Sequence, residues 1–166
     1  MTPQTITERQ MYVQGFEREY QTTLRLLKAY PPAQSELKPA EKLKNARELG
    51  WMLALTQGVP VAVLENKLDP AGLPPAPGTW AEVLAGVEAI HRETMKKLEG
   101  MSEERFNATT KLPVGPGQIA DVRVADALWM FLMDSVHHRG QFSVYLRIAG
   151  ARVPSIYGPS ADEPWF

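Results

Sequence analysis

The run Asp134-Ser135-Val136-His137-His138-Arg139-Gly140-Gln141 carries two of the chain's three histidines inside a long apolar helical stretch. Asp134 and His138 are four residues apart, so on a helix they share a face one turn apart. Polar groups on a core-facing stripe are costly unless partnered. Three kinds of partner are open: a metal ion, each other, or polar groups on a facing helix. An Asp–His pair with a third ligand and open water positions would suit Zn²⁺, Fe²⁺ or Ni²⁺. Without a metal, the same two residues form a carboxylate–imidazole pair, and His138 is then the natural proton-transfer group. The residues alone leave both arrangements open.

The neighbours of this pair have plainer readings. His137 is offset from His138 by about 100° and reads as a helix-interface residue, although it or Glu17 could stand in as a ligand. Arg139 is expected to bind a carboxylate or backbone carbonyls at an interface. A glycine inside a helix costs about 1 kcal/mol relative to alanine, so Gly140 is expected to mark close approach by another backbone or by the C-terminal tail. Met130 and Met133 read as core packing. His91, at the edge of a separate apolar stripe, reads as structural.

Other chemistries are excluded or unsupported. With no cysteine, disulfides, thiolate ligands and a cysteine nucleophile are ruled out. No serine sits in a nucleophile elbow, and Pro113-Val114-Gly115-Pro116-Gly117-Gln118 lacks phosphate-loop spacing. The net charge of −1 and the absence of a basic run with interleaved aromatics give no sign of nucleic acid or an acidic membrane as partner. No apolar run approaches the roughly 20 residues of a membrane span, and Met1–Thr5 lacks the character of a signal peptide. The expectation is a cytoplasmic, soluble protein.

The elements that must position the Asp134–His138 pair follow from apolar recurrence and helix signals. A length of 166 residues favours one domain over 1–166 with a substantial core. The first helix is expected at about 6–29, opened by Thr5 and Glu8 at capping-box spacing and closed by Pro31-Pro32. An ordered, proline-punctuated loop follows. The second helix, about 45–66, opens on Asn45 and Glu48, with Gly58 and Pro60 expected to kink or interrupt it. Residues 69–78, with four prolines and two glycines, read as a connection. Thr79 and Glu82 open the third helix at about 79–99, with Gly100 as its stop. A short extended piece is expected at Thr109–Leu112. The last helix, about 122–149, carries the stripe Ala127, Phe131, Asp134, His138, Gln141/Phe142 and Tyr145, and Gly150 ends it. The tail 151–166 is expected to be ordered, with Trp165 and Phe166 closing a pocket or burying against a dimer partner. Four long helical patterns argue for an all-α four-helix bundle.

The segment His137-His138-Arg139-Gly140-Gln141-Phe142-Ser143-Val144-Tyr145-Leu146-Arg147, followed by Val153-Pro154-Ser155-Ile156-Tyr157-Gly158-Pro159-Ser160, resembles the C-terminal signature of the DinB-like (DinB/YfiT) superfamily. Ser35-Glu36-Leu37-Lys38-Pro39 and Asn45-Ala46-Arg47-Glu48-Leu49 resemble the start of that family's second helix. The resemblance implies an up-down-down-up four-helix bundle, commonly a homodimer. It also implies a divalent metal, often nickel or zinc, held by three histidines. Activities in the family include thiol S-transfer with a low-molecular-weight thiol and hydrolysis of small molecules. Carried over residue by residue, His138 matches a ligand position, Asp134 stands where a second histidine is expected, and Met52 occupies the third position. The resemblance thus implies a variant metal site, with Asp134 and His138 as its metal-binding or catalytic remnant. The alternative it leaves is a metal-free, non-catalytic binding or scaffold protein of the same fold.

Overall fold

The computed structural model describes residues 5–69 and 71–166. The Met1–Gln4 part of the stretch read for a leader lies outside them, as does Pro70 of the 69–78 connection. Helix α1 spans Glu8–Ala29. Its cap is Thr7 with Gln10 rather than Thr5 with Glu8: the Thr7 hydroxyl accepts from the Gln10 amide, and the Gln10 side chain accepts from the Thr7 amide. Both pairs have the required spacing. Thr7 also donates to Glu103, 2.7 Å away, which ties the start of α1 to a distant part of the chain.

Helix α2 spans Ala46–Leu64 and is capped reciprocally by Asn45 and Glu48, as expected. It passes through Gly58 and Pro60 without interruption, so of the expected kink or interruption the interruption does not occur. Packing between two neighbouring helices overrides the single backbone donor that Pro60 lacks. A Cβ on Gly58 would come within 3.2 Å of Ile90, so this glycine permits close helix packing. Asn66, at φ 55°, closes α2. The Lys67 amide reaches Ala62 O and the Asn66 amide reaches Val63 O, which together satisfy two otherwise orphaned carbonyls.

Helix α3, Trp80–Glu99, has the expected Thr79–Glu82 cap and stops at Gly100. A short helix α4, Glu103–Asn107, follows. Next comes an antiparallel hairpin of β1, Thr109–Gly115, and β2, Gln118–Arg123. Only part of β1 was expected, and β2 takes the place of the first residues assigned to the last helix. Thr110 and Leu112 of β1 alternate inward, which is a readable pattern. No residue of β2 is fully buried, so it carries no alternation to read. Helix α5 spans Val124–Ile148. Gly150, at φ +71°, ends it, with Ala151 N–H to Leu146 O and Gly150 N–H to Arg147 O.

Cross-helix contacts give the directions. Gln57 meets His91 and Gly50 approaches Trp80, so α2 and α3 run parallel. Glu17 meets His91 and Leu27 meets Trp80, so α1 and α3 are antiparallel. Glu8 meets Trp129 and Glu19 meets Arg139, so α1 and α5 are parallel. The bundle is up-down-down-up.

The core has two apolar halves. One gathers around Leu27, Leu53, Trp80 and Phe142, the other around Tyr12, Leu98, Phe106 and Leu128. Between them lies a polar layer with contributions from every long helix: Glu17 and Glu19, Thr56 and Gln57, His91, Ser135 and Arg139.

On α5 Ala127, Phe142 and Tyr145 of the expected stripe are buried, and Leu128, Leu132, Ser135, Arg139 and Leu146 complete the inward face. In the middle of the helix that face lies one residue beyond the expected stripe, a turn of about 100°. Asp134 is therefore exposed and His138 only partly covered, with side-chain exposures of 49% and 22%. Met130 and Met133 point outward rather than into the core. The reason is Arg139, a charge 1% exposed in a position where hydropathy expects a hydrophobe. It is paired with Glu19 at 2.6 Å. Gly140 is likewise not covered: a Cβ there meets nothing within 4 Å. Gly140→Ala should stabilise the protein by about 1 kcal/mol, read as a raised midpoint in urea unfolding; a lowered midpoint would mean that something packs there in solution.

The tail is held by polar contacts and by Val153 and Ile156 packed on the core, not by its terminal aromatics. Asp162 binds the Val153 amide and Arg147, Glu163 binds Ser155, and Arg25 donates to Ser155 O. Trp165 and Phe166 are exposed, so within this chain they close no pocket.

Candidate functional site in the groove between α2 and α5

Thr56 Oγ1 donates to Ser135 Oγ at 3.1 Å and sets the height at which α2 and α5 meet. Because these helices are antiparallel, Met52, one turn before Thr56, lies opposite His138, about one turn beyond Ser135. Both line a cavity of about 400 Å³. Leu49 and Tyr145 supply further apolar wall, and the loop residues Lys42 to Lys44 close one side. That loop is fastened to α5 by Tyr145, whose hydroxyl donates to Lys44 O at 2.7 Å.

A string of polar groups runs along the edge of α5. The Gln141 amide oxygen is 3.2 Å from His138 Nδ1, and its nitrogen is 3.0 Å from His137 Nε2. In the neutral tautomer that donates Nδ1–H to that oxygen, His138 Nε2 keeps a free lone pair. Asp134 Oδ2 is 3.5 Å from that Nε2. This is too long for a good hydrogen bond. The predicted pair is thus brought together, at the rim of a groove rather than in the core. Gln141 was placed in the stripe but not given this role. Its spacing, three residues after His138 and four after His137, was the available signal.

The residues implied for a metal can be tested on this geometry. Two ligands each about 2.1 Å from a tetrahedral ion sit about 3.4 Å apart, so Asp134 and His138 are suitably spaced. A third donor is lacking. Among the described residues no three His, Cys, Asp or Glu side chains converge. Met52 faces the groove, and His137 is engaged by Gln141. The other stand-in, Glu17, is bound to His91. The donor set does not fit a three-ligand zinc or nickel centre.

His91 is the structural residue expected. It is buried, with Tyr20 stacked on it at a centroid distance of 3.4 Å. Nε2 is 2.8 Å from Glu17 and Nδ1 is 3.2 Å from the Gln57 side-chain amide. Both nitrogens are occupied, so the 430 Å³ cavity beside it contains no free base on this ring. Burial pushes His91 below its ordinary value of 6.5, outweighing the opposite pull of Glu17. For Glu17, burial acts upward, but hydrogen bonds from Gln21 and His91 outweigh it and hold the carboxyl below its usual value. The unfolded chain therefore protonates this histidine at higher pH than the native protein does. Stability from the neutral ring is complete above about pH 6.5 and is lost as pH falls from there toward the lowered native value. The melting temperature should drop between neutral and mildly acidic pH, and His91→Gln should flatten that slope; an unchanged slope would contradict the assignment.

The fold and groove geometry meet an independent observation: the sequence profile of the DinB family matches residues 2–165. The chain belongs to the DinB family. Solved DinB-like structures agree with the bundle. A DinB-like protein from Bacillus cereus ATCC 10987 superposes with a TM-score of 0.75 at 18% identity, covering 88% of this chain and 95% of that one. The DinB-like protein YjoA of Bacillus subtilis gives 0.70 at 19% identity, covering 89% and 97%. YfiT of Bacillus subtilis, described as a probable metal-dependent hydrolase with an unusual four-helix bundle topology, gives 0.63 at 13% identity, covering 90% and 94%. At these identities the likeness is one of fold. A short segment is 53% identical over 38 residues to the uncharacterised protein YrdA of Bacillus subtilis strain 168, spanning 23% of that protein. Among the described residues no helix is long and apolar enough to cross a membrane.

Proposed function

We propose that residues 1–166 form one DinB-like domain that acts on a small molecule in the α2/α5 groove, with His138 as the group that takes up and returns a proton. The observation that carries this reading is the Gln141 contact at His138 Nδ1, on a ring that lines a 400 Å³ cavity. The reaction class is hydrolysis, with transfer of a low-molecular-weight thiol as the close variant. His138 Nε2 accepts the proton of the attacking water or thiol. Asp134 stabilises the imidazolium, and the ring then protonates the leaving group. The description of YfiT as a probable metal-dependent hydrolase supports hydrolysis as the class. The two-donor set supports a reaction run by proton transfer without a tightly held resident metal.

The test is a screen of small esters, thioesters and epoxides, with and without a thiol, followed by His138→Ala. That variant should lower kcat/KM by about 10²–10⁴-fold with the fold intact by circular dichroism. Activity undiminished in His138→Ala would sink the reading. Met52 in the third ligand position favours a second reading, a metal-free binding protein of the same fold. Ligand binding at the groove without turnover in the unaltered protein would select it.

A further inference from the structure

We infer that the ligand of the α2/α5 groove is a small organic anion with an apolar body, its charged end held by Lys42 and Lys44 and its other end directed toward His138. This rests on the groove being the functional site and adds the class of molecule it accepts.

The first support is the sign of the wall. Two lysines line the cavity and no aspartate or glutamate does. Five of the other lysines, Lys28, Lys67, Lys96, Lys97 and Lys111, have carboxylate partners, whereas Lys38, on the same loop as Lys42 and Lys44, has none among the described residues. Lys42 and Lys44 are in no ion pair among the described residues, and both line the groove. The cavity beside His91 contrasts with this, because Glu17, Glu88 and Glu99 line it together with Arg92 and Lys96.

The second support is the apolar surface between the charges and the base. Leu43, between the two lysines in sequence, is 46% exposed, and Val144 across the groove is 55% exposed. An apolar ligand body laid between them would remove both from water, which favours binding. A volume of about 400 Å³ lies within the ordinary range of small-ligand sites, about 300–1,000 Å³.

The third support is rigidity. The loop carrying the lysines is tied down at several points: Tyr145 to Lys44 O, the Leu43 amide to Ala40 O, and the Ala46 amide to Leu37 O. The backbone beneath the two cations is therefore set before the ligand arrives, which lowers the cost of ordering it on binding. The amides at the start of α2 are not the anion receptor, because Asn45 and Glu48 already cap that end. The charge recognition falls to the lysine side chains.

The experiment is an NMR titration of the full chain with octanoate and, separately, with octylammonium, which pairs a chain of the same length with the opposite charge. The His138 ring and the Val144 methyls are the reporters. Octanoate should bind at least about tenfold tighter, a difference of about 1.4 kcal/mol. Lys42→Glu/Lys44→Glu should weaken octanoate by at least that factor, and added salt should narrow the gap. His138→Ala should retain octanoate, since the lysines hold the charge. Equal affinity for the two probes, with both reporters shifting, would overturn the anion inference and leave the groove standing as the site. Octanoate binding that shifts neither reporter would overturn both readings. No response to millimolar octanoate would overturn the anion inference.

Discussion

Glu19→Leu will cost the protein about 3 kcal/mol of stability and release its C-terminal tail. Arg139 is 1% exposed and its charge is met almost entirely by Glu19, through the carboxylate at 2.6 Å and the main-chain carbonyl at 3.0 Å. Tyr157 of the tail completes the cluster: its hydroxyl is 2.5 Å from Arg139 Nη2 and 2.7 Å from Glu19 Oε2, and its ring centroid lies 5.2 Å from the guanidinium carbon. Removing Glu19 strands a cation in the core, which is far costlier than never having placed one there. Arg139→Met in the Glu19→Leu background should therefore restore much of the loss. Urea unfolding gives the stability, and amide exchange across 153–160 reports the tail. A loss below about 1 kcal/mol, the level of an exposed pair, would show that the cluster is not a buried ion pair in solution.

Met52→His will convert the groove into a zinc site. The Asp134–His138 spacing already suits two ligands of one ion, and Met52 lines the same cavity as His138. The added imidazole brings the protein ligands to three, the number common in open zinc sites. At a zinc concentration about a hundredfold above Kd, binding adds about 2.7 kcal/mol to stability. For a chain of this size that is a rise in Tm of about 5–10 °C, and a chelator reverses it. The unaltered protein should show no comparable shift. If the variant's melting temperature ignores zinc, Met52 does not face the Asp134–His138 pair.

Much of the bundle was legible because its signals are local. The Asn45–Glu48 and Thr79–Glu82 boxes, Gly150 and the prolines after Tyr30 act within a few residues, and the structure uses each as expected. The Asp134–His138 pair was legible from spacing alone. What escaped was information carried by residues far apart in the chain. The middle of α5 faces one residue away from the expected stripe because Arg139 belongs to the core only in the company of Glu19, 120 positions away. Pro60 looked like a break because the packing that holds α2 together around it comes from α3 and α5. Strand β2 has no buried side to impose a period. Lys42 and Lys44 lie in a loop, where charge has no periodicity and gains meaning only when α5 is brought opposite.

The polar layer at mid-height has a consequence for alignment. Apolar side chains are nearly interchangeable, so a greasy bundle tolerates sliding of one helix by a turn, about 5.4 Å. Here such a slip would carry Glu19 away from Arg139, Glu17 away from His91, and Thr56 away from Ser135, pressing unpaired polar groups into the apolar halves above and below. The layer works as a vernier: only one setting of the four helices makes all its marks coincide, and in that setting Met52 and His138 come to the same height across the groove.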